Sequence, residues 1–230
     1  MSRIFFHLGA KQPDYRTLIA TGKDLLLEGR LIQTSSMVIA EQTHSSLIHV
    51  CTEQDCGAGF GDYPQIPIAD GLLTNIPGQY LLIRTADCFP VLLYDPVAMA
   101  VGSVHSGREG TRQNIAGKAV QEMVDQYGCD PARIVAHVGA GICEDHYEVS
   151  EEIYALFNDS LRKDGFCPCT DRPRHLNLRT TIFQQLIRAG LKFINIENHH
   201  VCTYEDPGYF SYRRDKGNNR QINLIGITDE

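Results

Sequence analysis

The fold is decided by residues 80–106, which read YLLIRTADCFPVLLYDPVAMAVGSVHS. Three short apolar runs, at 80–85, 90–94 and 99–105, are separated by turn residues, and runs of this length are typical of strands. The same pattern predicts further strands at 3–7, 37–40, 47–51, 71–74, 133–138, 193–197 and 222–227.

Helical patterns fall between these strands. Residues 113–127 place apolar side chains on one face and are followed by Gly128, a residue that commonly ends helices. Ser150 is suited to cap a helix that continues to about residue 161, and 178–189 is a further helix. The segment 23–31 is also predicted to be helical.

Strands and helices therefore mix without strict alternation. This order favours a mixed α/β (α+β) fold over a doubly wound parallel sheet. No internal repeat and no linker rich in Pro, Ser or Gly interrupts residues 1–230, so we expect a single domain.

Composition excludes several classes of function. The chain is 43% hydrophobic and 21% charged, as globular proteins are, and its net charge of −7 disfavours a nucleic-acid-binding protein. No apolar run approaches the ~20 residues that cross a bilayer. The apolar stretch at the start of the sequence is also too short for the core of a signal peptide. We expect a cytoplasmic protein whose cysteines are mostly buried thiols.

The eight cysteines, at positions 51, 56, 88, 129, 143, 167, 169 and 202, contain no C-x-x-C pair. The spacings of Cys51 with Cys56 and of Cys167 with Cys169 fit neither a zinc ribbon nor a thioredoxin-type redox pair.

Three residues at the ends of predicted strands are candidate metal ligands. They are His44, Cys88 and His105, each beside small or turn residues. If the fold brings them together, they leave the fourth position of a zinc ion open, as catalytic zinc sites do. Taken singly, each could equally be a buried thiol or a hydrogen-bonded histidine.

A set of motifs then recurs in a known order. The motifs are Gln42-Thr43-His44, ADGLLT at 69–74, TADCFPVLLYD at 85–95, HSGREGT at 105–111, GAGI at 139–142, YEV at 147–149 and FSYRRD at 210–215. Over residues 42–220 the chain resembles the laccase-domain or multicopper polyphenol oxidase family, also called peptidoglycan editing factors. Its members are described as purine nucleoside phosphorylases with adenosine deaminase activity.

The resemblance carries several implications. It implies a zinc site, with copper less expected, built by His44, Cys88 and His105. It implies two β-sheets packed in a core flanked by helices, in a monomeric cytoplasmic protein. It also implies phosphorolysis of adenosine, inosine, guanosine and methylthioadenosine, together with hydrolytic deamination of adenosine.

Three motifs depart from the family pattern: Ser45 stands where the family has Gly after the first histidine, Gly139-Ala140 replaces the Gly-Pro of the later turn, and the segment after His105 is altered. Where the family has His-Ala-Gly-Trp-Arg-Gly-Thr, this chain has Arg108 in place of Trp and Glu109 in place of Arg, and it contains no Trp at all. If this segment walls a nucleoside pocket, we expect weak substrate binding with the metal ligands unaffected. The alternative is an exposed turn that touches no substrate.

Further residues have candidate roles near this site. Asp87 could transfer a proton, orient a ligand histidine, or cap a turn. Arg84, Arg213 and Arg214 are candidate phosphate clamps because guanidinium groups match anion geometry, with surface salt bridges as the alternative. The pair at 199 and 200 is left out, since adjacent strand residues point to opposite faces.

Three other functions remain open beside the phosphorylase. Cys88 could be the nucleophile of a cysteine hydrolase, with His44 or His105 as base, acting on an amide such as a peptidoglycan precursor. A polyphenol oxidase would need several copper centres with many histidines, which the triple does not supply. The substitutions at Arg108 and Glu109 would fit a non-catalytic binding protein.

Overall fold

Two β-sheets and a hairpin form the framework of the protein. The structure is a computed structural model that describes residues 3–168 and 172–228. The strands are β1 Ile4–Leu8, β2 Leu25–Leu27, β3 Arg30–Ile32, β4 Met37–Ile39, β5 Ile48–Val50, β6 Gly71–Thr74, β7 Tyr80–Thr85, β8 Phe89–Asp95, β9 Ala100–Ser106, β10 Val135–Val138, β11 Ile196–Asn198 and β12 Gln221–Ile227. The helices are α1 Tyr15–Thr21, α2 Arg108–Arg112, α3 Ile115–Tyr127, α4 Glu151–Lys163, α5 Leu178–Arg188 and α6 Tyr212–Asp215.

The strands divide into a smaller and a larger sheet. The smaller sheet has the order β1-β12-β7-β4, and the larger has the order β11-β10-β8-β9-β6-β5. Most neighbours are antiparallel, while β4 with β7, β5 with β6 and β10 with β11 are parallel. The predicted mixed α/β fold with two packed sheets is confirmed.

The faces of the two sheets are buried against each other. Leu81 and Ile225 of the smaller sheet share one apolar cluster with Leu72, Leu92 and Val101 of the larger. Helices α3, α4 and α5 cover the outer face of the larger sheet, while α1 and the β2–β3 hairpin cover that of the smaller. Burial on both faces explains why the central strands are mostly apolar, and each fully buried leucine contributes roughly 1.5–3 kcal/mol.

The predicted helix at 23–31 is wrong, because the segment forms the β2–β3 hairpin. Glu28 and Gly29 both have positive φ, 51° and 81°, which is the geometry of a two-residue hairpin turn. Leu25 and Leu27 are buried while Leu26 is 70% exposed, so burial alternates with a period of two. The dense leucines conceal this alternation from an inspection of the sequence.

The other predicted helices are confirmed as α3, α4 and α5. Residues 108–112 form an unpredicted helix, and α3 begins only at Ile115 because the Asn114 side chain accepts a hydrogen bond from the Gly117 N–H and caps it. The predicted strand at 193–197 is mostly a 3₁₀ turn, Phe193–Asn195, with a strand only from Ile196. Among the described residues, none of the helices is long and apolar enough to cross a bilayer.

The expectation that most cysteines are buried is wrong for the cysteines that the structure describes. Cys51 and Cys129 are buried and Cys167 is exposed. Those at 56, 88, 143 and 202 are half-buried, and Cys169 lies outside the described residues. Half-buried thiols are accessible to ligands, so their surroundings decide their chemistry.

Candidate active site

Three candidate metal ligands meet where the chain passes between the two sheets. His44 lies in the connection from β4 to β5, Cys88 in the connection from β7 to β8, and His105 on β9. Their ligand atoms all lie within 4.8 Å of one another. The two imidazole rings are 4.9 Å apart at an angle of 73°. The structure therefore brings together the triple that the sequence singled out.

A buried carboxylate fixes the backbone around His44. The segment 43–45 wraps around Asp70, whose oxygens accept hydrogen bonds from the N–H groups of Thr43 (3.1 Å), His44 (3.0 Å) and Ser45 (2.7 Å). The Ser45 hydroxyl donates a further bond at 2.7 Å. These bonds hold His44 in a left-handed conformation, φ 62°, with its side chain exposed on the cavity side.

The same carboxylate orients His105. Its Oδ1 lies 2.7 Å from His105 Nδ1, and the His105 backbone N–H donates to the Asp70 carbonyl at 2.7 Å. The Asp70 side chain is fully buried. Because Nδ1 is engaged by the carboxylate, Nε2 is the ring nitrogen that can bind a metal, an arrangement common behind zinc-binding histidines.

The charges of these groups reinforce one another. Burial disfavours the thiolate of Cys88, but the charges and hydrogen bonds of His105 and His44 outweigh it and lower the pKa of Cys88 to about 6. Burial also opposes charge on His105, yet Cys88 and Asp70 raise its pKa to about 9. For Asp70 too, the His105 and Ser45 contacts outweigh burial and lower the pKa to about 2. The site therefore favours a thiolate, which is the form of cysteine that binds metals.

A glycine after β9 leaves room for the close approach of the ligands. A Cβ atom at Gly107 would lie 3.0 Å from Cys88 Sγ and 3.0 Å from His44 Cδ2. A side chain at this position would therefore require Cys88 or His44 to shift by a few tenths of an ångström.

Asp87 joins separate segments beside Cys88. Its Oδ1 accepts from the Thr203 hydroxyl at 2.7 Å, and its Oδ2 accepts from the Arg213 N–H at 2.6 Å. Its carbonyl accepts from the Ile142 N–H at 2.8 Å. Since both carboxylate oxygens are engaged, the contacts resemble those of a capping residue more than those of a group that faces a ligand histidine.

The triple opens into a cavity of about 790 Å³. This volume lies in the range of roughly 300–1,000 Å³ that is usual for small-molecule sites. The lining combines the three candidate ligands with cationic, aromatic and apolar side chains: Gln42, His44, Arg84, Ala86, Asp87, Cys88, His105, Arg108, Glu109, Ile142, Tyr147, Leu178, Tyr212, Arg213, Lys216 and Arg220.

Two of the three predicted phosphate clamps line this cavity. The Arg84 guanidinium lies 4.8 Å from the centre of the Tyr15 ring and donates to the Ala40 carbonyl at 3.2 Å. The Arg213 guanidinium lies 5.2 Å from the Tyr147 ring centre and donates to the Glu148 carbonyl at 2.9 Å. Each cation is thus held in place against an aromatic ring at the edge of the cavity.

The third predicted clamp, Arg214, lies outside the cavity lining. Its guanidinium donates to the carbonyls of Thr203 (2.8 Å), Tyr204 (2.9 Å) and Tyr209 (2.7 Å), and it pairs with Asp215 at 2.8 Å. These contacts tie the segment before α6 to the helix itself.

The altered segment forms part of the cavity wall. Arg108 and Glu109 both line the cavity from the first turn of α2, so the segment is not a turn remote from the pocket. The Glu109 carboxylate accepts from Arg112 Nε at 2.8 Å and from Arg108 Nε at 3.3 Å. Burial opposes its ionisation, but these two arginines lower the pKa of Glu109, so its negative charge is balanced locally.

Sequence reasoning missed several residues of this site. Asp70 belongs to the motif at 69–74, but the motif alone gives it no role. A charged residue directly before an apolar strand could have indicated a buried functional carboxylate. Lys216 and Arg220, which lie 5.3 and 5.9 Å from the Tyr212 ring centre, lacked any local pattern.

Known proteins share both the sequence pattern and the fold. A purine nucleoside phosphorylase from Corynebacterium glutamicum is 30% identical over 98% of this chain and 88% of its own length. A protein named adenosine deaminase RL5, from an unknown prokaryotic organism, is 32% identical over 80% of this chain and 71% of its own. The crystal structure of the hypothetical protein YfiH from Bacillus licheniformis superposes with a TM-score of 0.78 at 30% identity, covering 92% of this chain and 78% of that one.

The family assignment rests on nearly the whole chain. The profile of the family described as multi-copper polyphenol oxidoreductase laccase matches residues 5–228, which include all three candidate ligands and the cavity residues. The protein therefore belongs to the multi-copper polyphenol oxidoreductase laccase family, the group that also contains its purine nucleoside phosphorylase relatives.

Proposed function

We propose that this protein is a zinc-dependent purine nucleoside phosphorylase that also deaminates adenosine. His44, Cys88 and His105 form what we call the three-ligand cluster. The observation that carries the proposal is the placement of this cluster in the wall of a cavity that is also lined by cations. A phosphorolytic site must hold phosphate, the sugar and the leaving purine together. The names of the relatives support this class of reaction.

The donor set of the three-ligand cluster fits zinc. One thiol with a depressed pKa and two imidazoles match the N and S ligands that zinc prefers, and three protein ligands leave one position open. When bound by His44, Cys88 and His105, zinc would supply a Lewis acid at the cavity wall. A multicopper centre would need more histidines than this cluster holds.

Cationic side chains would bind phosphate. Arg84, Arg108 and Arg213, together with Lys216 and Arg220, line the cavity beside the three-ligand cluster. Guanidinium groups donate in a planar fork that matches phosphate oxygens. Arg84 and Arg213 are already held by carbonyls and rings, so they lose little freedom when phosphate binds.

Aromatic and apolar side chains would hold the nucleoside. Tyr147 and Tyr212 line the cavity with Ile142 and Leu178. In a chain without tryptophan, these rings supply the flat surface on which a purine could stack. We assign Asp87 a positioning role, because it accepts the Arg213 N–H and so fixes the start of α6.

A nucleoside panel assayed with and without phosphate tests the proposal. Adenosine and inosine should release free base only when phosphate is present, with ribose 1-phosphate as the co-product, and adenosine should release ammonia without phosphate. Base release at the same rate in phosphate-free buffer would contradict the phosphorylase and indicate a hydrolase.

One observation favours a second candidate, a cysteine hydrolase. The lowered pKa of Cys88 between two histidines is also the signature of an activated nucleophile. Under this alternative, metal-stripped protein should form a covalent adduct on Cys88 with an activated amide substrate and turn it over. Restoration of activity by zinc, with no such adduct, favours the phosphorylase. The cytoplasmic location and the monomeric state stay predictions.

A further inference from the structure

A second group of metal-binding side chains lies outside the cavity lining. Cys143, His146, Cys202 and Glu205 place their ligand atoms within 4.8 Å of one another, and we refer to them as the four-ligand cluster. Cys143 Sγ lies 3.2 Å from His146 Nδ1 and 3.8 Å from Glu205 Oε1. His146 Nδ1 lies 3.4 Å from Glu205 Oε1.

These separations match the edges of a zinc coordination tetrahedron. With Zn–S bonds of about 2.3 Å and Zn–N or Zn–O bonds of about 2.0–2.1 Å, neighbouring ligand atoms lie roughly 3.3–3.8 Å apart. The three distances above fall at or close to that range. Little movement of the side chains is therefore needed to hold an ion.

The cluster is built from two short turns in which the two ligands have the same spacing. Cys143 and His146 are three residues apart, and the Cys143 carbonyl accepts the His146 N–H at 3.2 Å. Cys202 and Glu205 have the same spacing, and the Cys202 carbonyl accepts the Asp206 N–H at 3.0 Å. Each turn thus presents a thiol and a second ligand with the spacing of zinc-binding turns.

Further contacts hold the two turns together and balance their charge. The Cys143 N–H donates to Cys202 Sγ at 3.3 Å, and Gly141 pairs with Cys202 in a parallel bridge. Arg179, which donates to the Val201 carbonyl at 2.8 Å, interacts electrostatically with both thiol groups. Its positive charge offsets the net −1 charge of a divalent ion bound by two thiolates and one carboxylate.

We propose that the four-ligand cluster is a structural zinc site, separate from the three-ligand cluster. On binding, two Zn–S bonds form and the two thiol protons leave to solvent, while His146 and Glu205 bind through Nδ1 and a carboxylate oxygen. Four protein ligands leave no open position, as in structural rather than catalytic sites. The ion joins the chain around 141–146 to the chain around 201–206.

The two turns of the four-ligand cluster are hydrogen-bonded to residues of the cavity wall. Thr203, between Cys202 and Glu205, donates to Asp87 at 2.7 Å. The His146 carbonyl accepts from the Arg213 guanidinium at 3.3 Å. Both bonds belong to the wall of the cavity, so zinc in the four-ligand cluster would stiffen that wall without touching a substrate.

Metal content in two variant backgrounds tests the proposal. Protein purified with a phosphine reductant, stripped by a chelator and reloaded with zinc should bind about two ions per chain, against about one for either Cys88→Ser or the double variant Cys143→Ser, Cys202→Ser. Cys56→Ser, whose thiol is half-buried but outside both clusters, should keep two. In the Cys88→Ser background the remaining ion reports on the four-ligand cluster alone, whatever the fate of the proposed reaction.

Thermal unfolding and a milder variant complete the test. Zinc at about 100 times its Kd should raise the Tm of Cys88→Ser by roughly 5–10 °C. Glu205→Gln, at a residue whose side chain is 58% exposed, should fold normally and bind this ion more weakly, because three ligands remain. A Cys88→Ser protein that binds no zinc, or an unchanged zinc content in the Cys143→Ser, Cys202→Ser variant, would overturn the proposal. So would a Cys143–Cys202 disulfide that persists under reductant.

Discussion

The three-ligand and four-ligand clusters use the same kinds of side chain in opposite electrostatic settings. Cys88 lies against two imidazoles, which outweigh burial and lower its pKa to about 6. Cys143 is surrounded differently: burial, the neighbouring Cys202 thiol and the Glu205 carboxylate raise its pKa to about 12. Residue type alone therefore does not decide whether a cysteine is activated. The charges of its neighbours do.

The clusters also differ in their surroundings, since only one of them opens into a cavity. The three-ligand cluster lines a cavity of about 790 Å³ and has the buried Asp70 carboxylate behind it. The four-ligand cluster closes on itself between two turns. An open coordination position beside a cavity suits catalysis, and a closed one suits structural support.

The largest expected effect separates the two clusters by activity. Cys88→Ala should lower kcat/KM for adenosine phosphorolysis by more than about 100-fold, beyond the ~10–100-fold typical for loss of an outer partner. Cys143→Ala should cost far less activity, because no residue of its cluster lines the cavity. Each variant should lose one zinc ion by elemental analysis. Full zinc content with full activity in Cys88→Ala would show that the three-ligand cluster is not the catalytic metal site.

Thiol alkylation of the metal-free protein should show the difference in pKa between Cys88 and Cys143. At pH 7 iodoacetamide should modify Cys88 on the order of 100-fold faster than Cys143, after allowing for the lower nucleophilicity of a low-pKa thiolate. The Cys88 rate should rise with pH through about 6 and level off above about 7, since the thiolate is the reactive form. Cys143 should stay slow up to pH 9. Peptide mass spectrometry over time measures both rates, and similar rates would contradict the electrostatic contrast.

Loss of the Asp70 charge tests whether the carboxylate positions His105. Asp70→Asn should reduce kcat/KM by ~10–100-fold, the range for outer partners of metal-binding histidines. Because the pKa of Asp70 is about 2 when folded, below its ordinary value, the ionised carboxylate stabilises the fold above about pH 4. That contribution, about 2–3 kcal/mol, is lost as pH falls toward 2. Urea unfolding of metal-free wild-type and Asp70→Asn protein at pH 7 and pH 3 measures about half of this contribution, because the folded carboxylate is still mostly ionised at pH 3.

A second buried carboxylate provides the matched control for Asp70. Asp95 is also fully buried and accepts from the N–H groups of Val97 at 2.8 Å and Asp130 at 3.1 Å, away from the cavity. Asp95→Asn should destabilise the fold while the zinc content of the folded protein stays the same. An equal loss of zinc in both variants would mean that Asp70 acts only through stability.

Variants of the two neighbouring arginines of α6 should separate an effect on phosphate binding from an effect on stability. Arg213→Ala should raise the phosphate KM about tenfold, the equivalent of one charge-assisted hydrogen bond of ~1.5 kcal/mol. Arg214→Ala should lower the Tm more and the phosphate affinity less, because its guanidinium is occupied by backbone carbonyls. Initial rates at varied phosphate and thermal melts of both variants give the comparison. The reverse ranking would place Arg214 in the phosphate site.

The smallest expected effect concerns the altered cavity wall. Glu109→Gln should lower the phosphate KM about two- to fivefold, because removing a half-exposed carboxylate frees Arg108 and Arg112 to attract an anion. Glu152→Gln, in the first turn of α4 and outside the cavity lining, is the control. A rise in KM would indicate that Glu109 holds Arg108 in its binding position.

The parts of the fold that the sequence predicts best are those where one local pattern dominates. The runs at 80–106 form strands as expected, because burial on both faces makes most of their residues apolar. The hairpin at 25–32 is not predicted, because the sequence shows an apparent helical pattern that the turn geometry at Glu28 and Gly29 overrides. His44, Cys88 and His105 lie far apart in the chain: their positions at strand ends made them candidate ligands, but the motif order was needed to favour a common metal site.

The rest of the site depends on contacts that no spacing reveals. Asp70 acts on a loop 25 to 27 residues earlier in the chain and on His105, 35 residues later. A C-x-x-C pattern does not identify the four-ligand cluster, because His146 and Glu205 occupy the position of its second cysteine in each turn. Cysteine spacing alone therefore underestimates what half-buried thiols can bind.

The crossing of the chain between its two sheets has a consequence for how the molecule acquires its site during folding. His44 and Cys88 lie on the two connections that leave the smaller sheet for the larger, whereas His105 belongs to the larger sheet itself. All three ligands are nevertheless held from the larger sheet: Cys88 directly precedes β8, His105 lies on β9, and Asp70, which directly precedes β6, holds the backbone of His44. These strands must therefore pair before the three side chains can meet, and their pairing joins segments that are distant in sequence. Loosened pairing among these strands would then abolish metal capture.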